Sequence, residues 1–261
     1  MEKYTVITGA SSGIGLEIAK ILASKNYNLI LVARNFDRLQ SIKNDLESKY
    51  SIKVKIFRKD LSLSANAEAL YLEIKRENLE VEYLINNAGV GNYGHFIETS
   101  LQEELNMIEL NISSLVILTK LFSQDMVKRG SGSIMNVASL LSFLPFPYYS
   151  VYSASKSFVL SFSETVNAEL EGTGVMVKAL CPGPIDTGFT TSEMTTTNAY
   201  KTNKPVLPEG VAKEGVKLLL NTKTKKIVGF TNWFISNLPR ITPDFIMMKI
   251  KKNLASQTNK K

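Results

Sequence analysis

Residues 4–15, Tyr4-Thr-Val-Ile-Thr-Gly-Ala-Ser-Ser-Gly-Ile-Gly15, decide the fold. A short β-branched run enters a turn with glycines at 9, 13 and 15, and an amphipathic stretch, expected as a helix over Ile14–Lys25, follows at once. Gly9 permits the tight turn, Gly13 lets the backbone approach a pyrophosphate, and Gly15 lets the helix pack closely on the strand. The helix N-terminus offers unpaired N–H groups and a partial positive charge to phosphate, with Ser11, Ser12 and Ile14 in the same turn. Glycines alone are a weak signal. Strand, glycines and helix in that order, opening an alternating chain, are a strong one.

Outward from this stretch the alternation continues. Strands are expected at Tyr4–Thr8, Asn28–Ala33, Lys53–Phe57, Tyr83–Asn86, Gly132–Ala138, Val175–Leu180 and Lys226–Phe230. Helices are expected at Phe36–Lys49, Ala65–Glu77, Leu101–Lys128, Tyr149–Glu171 and Glu209–Leu220. Runs such as Leu29-Ile-Leu-Val-Ala33 are apolar throughout, as in strands covered on both faces. The pattern predicts an α/β fold: a Rossmann-like, doubly wound, seven-stranded, mostly parallel sheet with helices on both faces. The long irregular stretch Pro182–Pro208 is expected to form a lid over a site.

Composition narrows the function. The chain has 261 residues, 44% of them hydrophobic, which suits one large domain of residues 1–230 with an extension over 231–261. No apolar run approaches the roughly 20 residues of a membrane span. The first residues read as a strand rather than a signal peptide. With one cysteine, Cys181, and one histidine, His95, neither an internal disulfide nor a His/Cys metal site is expected, and a reducing, cytoplasmic location follows. Residues 223–261 hold nine Lys/Arg and one acidic residue, against 22 and 23 in the rest. The body is therefore neutral, which argues against nucleic acid as a partner.

At the end of the second strand, where an NAD-binding protein presents an acid to the ribose, stand Ala33 and Arg34. An arginine pairs with a 2′-phosphate, helped here by Ser12, so NADP(H) is the expected cofactor. Asp60 and Leu61 after the third strand are placed for the adenine edge. Asn87, Ala88 and Gly89 after the fourth let the chain pass beneath the cofactor. Further on, Tyr152 and Lys156 are one helical turn apart on the same face. An ammonium so placed is expected to lower a phenol pKa from its usual value of about 10.

Thr8-Gly-Ala-Ser-Ser-Gly-Ile-Gly15, Asn86-Asn-Ala-Gly89, Ser139, Tyr152-Ser-Ala-Ser-Lys156 and Cys181-Pro-Gly-Pro-Ile-Asp-Thr187 together resemble the short-chain dehydrogenase/reductases over about residues 4 to 230. The resemblance implies an oxidoreductase of the compact, NADP-preferring kind. It implies Tyr152 as general acid or base, Lys156 tuning it and holding the nicotinamide ribose, and Ser139 as donor to the developing oxyanion. It also implies Asn111 as the holder of a proton-relay water, and contacts from Pro182, Gly183, Ile185 and Thr187 to the nicotinamide carboxamide. Homodimers or homotetramers built on the long fourth and fifth helices are implied too. A non-catalytic NADP(H)-binding sensor on the same fold is the competing reading. An epimerase or dehydratase of the longer branch needs a larger C-terminal domain.

Ser139, Leu141, Phe143, Phe146, Tyr149 and Phe189 are expected to line the substrate pocket, with Val90, Leu140 and Leu144. No Arg or Lys stands between Ser139 and Tyr152, so a small lipophilic carbonyl or alcohol is the expected substrate. Cys181 reads as a buried hydrophobe, and His95 sits on a loop near the substrate. In the extension, Thr242 reads as an N-cap and Pro243 as the first helical residue. Met247, Ile250 and Leu254 share one face, and Lys249, Lys251 and Lys252 follow the helix towards its end. Three fates are open for this segment: an anionic membrane surface, a cap on the substrate entrance, or packing on the body or a sister subunit.

Overall fold

The computed structural model of the chain describes residues 2–186 and 192–257. Its strands are β1 (Lys3–Thr8), β2 (Asn28–Ala33), β3 (Val54–Arg58), β4 (Glu80–Asn86), β5 (Gly132–Val137), β6 (Val175–Cys181) and β7 (Lys225–Ile227). They form one sheet in the order β3-β2-β1-β4-β5-β6-β7, and every pairing in it is parallel. The chain leaves β1 in one direction across the sheet and later returns to its other side with β4. That reversal opens a crevice at the strand C-termini, where doubly wound sheets bind ligands.

Successive strand residues face opposite layers, which is why the strands are apolar without a break. Ile7, Leu31 and Ile85 pack towards α1 (Gly13–Ala23), α2 (Phe36–Lys49) and, further along the chain, the helix Pro208–Leu220. Their neighbours Val6, Ile30 and Leu84 pack the other way, against α3 (Ala65–Arg76) and residues Leu118, Phe122 and Met126. Those three belong to a long helical segment that the sequence reads as one helix over Leu101–Lys128. It is instead α4 (Leu101–Ile108), a π-helical turn (Glu109–Ser113) and α5 (Ser114–Arg129). A π turn inserts one residue into the helical ladder and recurs at functional sites. Taken whole, Leu101–Arg129 is long and apolar enough to cross a membrane, contrary to the expectation from the runs. Its inner face is nevertheless committed to the core of the sheet.

The segment that carries Tyr152 and Lys156 is α6 (Ser150–Glu169), anchored through Val159 and Leu160 on Ala138, Ala179 and Cys181. Pro182–Pro208 is not wholly irregular: it contains α7 (Ser192–Thr195) and α8 (Asn198–Thr202) before α9 (Pro208–Leu220). The last strand stops at Ile227, and Phe230, expected as its end, instead starts α10 (Phe230–Asn237). The extension closes with α11 (Asp244–Ala255), whose cap position is Pro243 and not Thr242.

Candidate active site

A cavity of about 750 Å³ runs along the C-terminal edge of the sheet, from the β2–α2 junction to the extension. Gly9, Ser11, Ser12, Gly13 and Ile14 line one end of it. Gly9 has φ +65° and Gly13 φ +55°, both in the left-handed region that a side chain opposes. Gly15 lies behind the loop, where an added Cβ would fall 2.4 Å from the Gly9 carbonyl oxygen. Ser12 holds the N-cap position of α1 but makes no capping bond through its side chain, leaving the hydroxyl and the first-turn N–H groups open.

Thr8 joins this loop to the next. Its Oγ1 accepts from the Asn87 and Ala88 N–H groups, each at 3.0 Å, while Asn87 Nδ2 donates to the Thr8 and Gly9 carbonyls. Asn87, Ala88 and Gly89 therefore form the cavity floor. Arg34, Lys59, Asp60 and Leu61 lie at the β2 and β3 ends. Lys59 is tied to Glu73 at 2.6 Å, whereas Arg34 is exposed and forms no ion pair among the described residues. The Asp60 carboxyl is held below its usual range, first by the Ser62 hydroxyl and further by the Arg34 charge. Asn35 caps α2 through the Arg38 N–H. This aims Arg38 back at the loop, where its Nε lies 3.5 Å from the Ser11 carbonyl. Arg38 was not singled out in the sequence, although its position three after an Asn cap is the signal that finds it.

Ser139, Tyr152 and Lys156 meet on the cavity wall. Ser139 Oγ accepts from the Leu141 N–H at 3.1 Å and caps a 3₁₀ turn over Leu140–Phe143. Ser142, absent from the sequence reading, locks that turn to α6. Its hydroxyl accepts from the Ser139 N–H and donates to the Lys156 carbonyl at 2.7 Å. The Tyr152 hydroxyl is hydrogen-bonded to Ser139. Lys156 Nζ stands 5.9 Å from the Tyr152 ring centre and donates to the Val137 carbonyl at 2.8 Å. Burial dominates both groups: it pushes the Tyr152 hydroxyl up to about 12, against the Ser139 hydrogen bond, and pulls the Lys156 ammonium down to about 8. The expectation that Lys156 lowers the tyrosine is therefore corrected for the protein alone, because desolvation of a phenolate outweighs an ammonium turned towards Val137.

Asn111 sits in the π turn and does not line the cavity. Its Oδ1 accepts from the Val90 N–H, and its Nδ2 donates to the Val90 carbonyl and to Ser155 Oγ. It meets Lys156 behind Gly89, where an added Cβ would lie 3.1 Å from Asn111 Oδ1 and 3.4 Å from Lys156 Nζ. Pro182, Gly183 and Ile185 line the cavity beside them. Gly183 is pressed against Asn232 of α10, which leaves no room for a Cβ and ties this loop to the extension. Thr187 and Phe189 lie outside the described residues.

Leu141, Phe146 and Tyr149 line the far half, with Leu144 and Val90. Phe143 does not. The 3₁₀ turn points it into the core cluster beneath, with Lys225 Nζ 5.8 Å from its ring. His95 packs edge-on against Tyr148 outside the cavity. Cys181 is fully buried, and burial pushes its thiol up to about 12, which fits a packing role. The extension supplies what the sequence left open: Ile235 of α10, Leu238 just past its end, and Met247, Ile250, Lys251 and Leu254 of α11 complete the wall. Tyr93 Oη fastens α11 by donating to the Ala255 carbonyl at 2.7 Å.

The glycine cradle, the open first turn of α1 and the free Arg34 fit a phosphorylated dinucleotide. Residues 3–198 match the short chain dehydrogenase profile. Mouse 17-beta-hydroxysteroid dehydrogenase type 3 is 37% identical over 195 residues, 73% of this chain and 62% of that one. A very-long-chain 3-oxoacyl-CoA reductase of Pyrenophora tritici-repentis is 38% identical over 68% of this chain and 53% of its own. The match thus spans only about half to three fifths of these relatives. A short-chain dehydrogenase from Sphingobium yanoikuyae, solved with NADPH, superposes with a TM-score of 0.79 at 27% identity, covering 91% of this chain and 93% of that one. The chain belongs to the short chain dehydrogenase family.

Proposed function

We propose that the chain is an NADP(H)-dependent oxidoreductase acting on a lipophilic ketone, aldehyde or secondary alcohol, with Tyr152 as the general acid–base. One observation carries this reading: the Tyr152 hydroxyl, hydrogen-bonded to Ser139, opens at the junction of a phosphate-binding half-cavity and an apolar half-cavity. The dinucleotide supplies the hydride when bound. Tyr152, protonated at neutral pH, gives its proton to the carbonyl oxygen. Ser139 donates to the charge building on that oxygen, held in place by its own cap on the 3₁₀ turn. Lys156 is the cation beneath the phenol, and Asn111 is the positioning residue that fixes Val90 and stands beside Lys156 on the path for the returning proton.

The free Arg34, with Arg38 and Ser12 beside it, supports NADP(H) over NAD(H), as does the NADPH in the Sphingobium structure. Relatives named for 17-beta-hydroxysteroids and for very-long-chain 3-oxoacyl-CoA support a large apolar substrate. NADPH oxidation across a panel of 3-oxoacyl esters, steroid ketones and aromatic ketones tests the reading. Turnover of at least one class is expected, and NADPH binding without turnover of any points to the sensor reading instead.

The outer face of the extension carries a second part of the proposal. Phe230 (81% exposed) stacks on Trp233, and Phe234, Ile241 and Phe245 (76% exposed) of the same segment are exposed as well. Lys249 and Lys252 are exposed on the same segment, within the stretch that holds the chain's excess positive charge. Aromatic side chains amid lysines match the chemistry of an anionic membrane surface, and this face adjoins the helices that wall the cavity. The exposed Leu101, Leu105 and Phe158 on α4 and α6 suit a homodimer or homotetramer contact, which light scattering of the purified protein checks.

A further inference from the structure

The three lysines of α11 do not act as one basic group. Lys249 and Lys252 face outward, whereas Lys251 is 4% exposed and lines the cavity. Among the described residues its ammonium has no hydrogen bond and no ion pair, so a buried cation opens into the cavity without a partner. Burial lowers its pKa, with Asp244 on the exposed end of the helix working weakly against that. A lysine on a helix surface ordinarily turns its head out to bulk water, and one turned into this cavity is placed to pair with an anionic group there.

Its position assigns it to the substrate half. Arg34 and Lys59 lie at the opposite, β2–β3 end, and Lys156 belongs to the catalytic wall. Lys251 is one turn from Ala255, whose carbonyl receives the Tyr93 hydroxyl. The Tyr93 ring packs on Tyr149 at 5.1 Å, and Tyr149 on Tyr152 at 6.4 Å. Apolar Met247 and Leu254 flank it on α11, with Leu144 and Phe146 also on the wall. A ligand with its carbonyl at Tyr152 therefore crosses an apolar passage before it meets the ammonium.

Building on the oxidoreductase reading, we infer that Lys251 is the specificity-determining residue of the substrate half, and that the preferred substrate is a lipophilic oxo acid whose carboxylate pairs with it. The carboxylate is remote from the reacting carbonyl, so the pair selects and orients without entering the chemistry. This also corrects the expectation of an uncharged pocket: the cation comes from the extension, not from the Ser139–Tyr152 connection.

The test uses methyl-ketone fatty acids of graded length and their methyl esters, with NADPH and the full chain. The acid should exceed its ester in kcat/KM by about tenfold or more at the matching length, as a charge-assisted pair predicts, with the difference in KM. Lys251→Met should erase that preference by bringing kcat/KM for the acid down to that for the ester, and Lys251→Arg should retain most of it. Equal turnover of acid and ester by the unchanged enzyme, or a preference that survives Lys251→Met, overturns the inference. If neither these compounds nor any of the ketone panel turns over, the oxidoreductase reading fails separately. Calorimetric titration of acid and ester onto the NADP-loaded protein then decides the claim on Lys251, since only the acid should gain affinity from it.

Discussion

Lys156 Nζ lies 5.9 Å from the centre of the Tyr152 ring, on the next turn of the same helix, and its hydrogen bond runs to the Val137 carbonyl at the end of β5. The lysine is thus anchored to the sheet and holds its charge beneath the phenol without touching the hydroxyl. An ammonium so placed can act on the tyrosine only through space, and only while it is charged.

That dependence has a sign. The Tyr152 hydroxyl, pushed up to about 12, stays protonated through neutral pH, so the acid needed for reduction is always present. Lys156, pulled down to about 8, loses its charge as pH rises through that value. Carbonyl reduction should be flat below about pH 7 and decline above about pH 8, whereas alcohol oxidation, which needs the phenolate, should rise with pH. Steady-state kcat/KM profiles in both directions check this.

Arg34 should set the cofactor preference. Arg34→Ala removes the unpaired guanidinium at the β2 end and should weaken NADPH binding by about tenfold or more, leaving NADH nearly unchanged. Fluorescence titration of both dinucleotides measures it, and an equal loss for both would assign Arg34 to the adenine ring rather than the 2′-phosphate.

Lys178 interrupts the apolar run of β6 and is 1% exposed. Its Nζ donates to the Leu218 and Leu219 carbonyls, both at 2.9 Å, and to Asn221, closing the end of α9. Lys178→Met strands those acceptors and should cost about 1–3 kcal/mol in urea unfolding, with little effect on cofactor affinity.

Membrane contact should depend on the outer face of the extension alone. Deleting the extension is a poor control, because Asn232 packs on Gly183 and α11 walls the cavity. Phe230→Ser combined with Phe245→Ser leaves the wall intact and should abolish flotation with anionic vesicles, while the unchanged protein floats. Equal behaviour of the two would remove the membrane proposal.

The glycine loop, the seven-stranded parallel sheet and the meeting of Ser139, Tyr152 and Lys156 on one wall were legible because they rest on local periodicity and short fixed spacings. Other features depend on contacts distant in sequence. Nothing in Glu109–Ser113 marks a π turn, and Phe143 turns inward only because a 3₁₀ turn changes the phase of an apolar run. Lys251 was readable in part. It falls four after Met247 and three before Leu254, on the face already marked as apolar, yet its charge grouped it with Lys249 and Lys252. Spacing puts Lys156 near Tyr152 but carries no sign of the desolvation that raises the tyrosine in the protein alone.

The central claim is that Tyr152 is the acid–base group of an NADP(H)-dependent oxidoreductase. Tyr152→Phe removes one oxygen and keeps the ring packed on Tyr149. With a ketone that the unchanged enzyme reduces, this variant should lose turnover by about a hundredfold or more while binding NADPH as before. Undiminished NADPH oxidation by Tyr152→Phe would contradict the account.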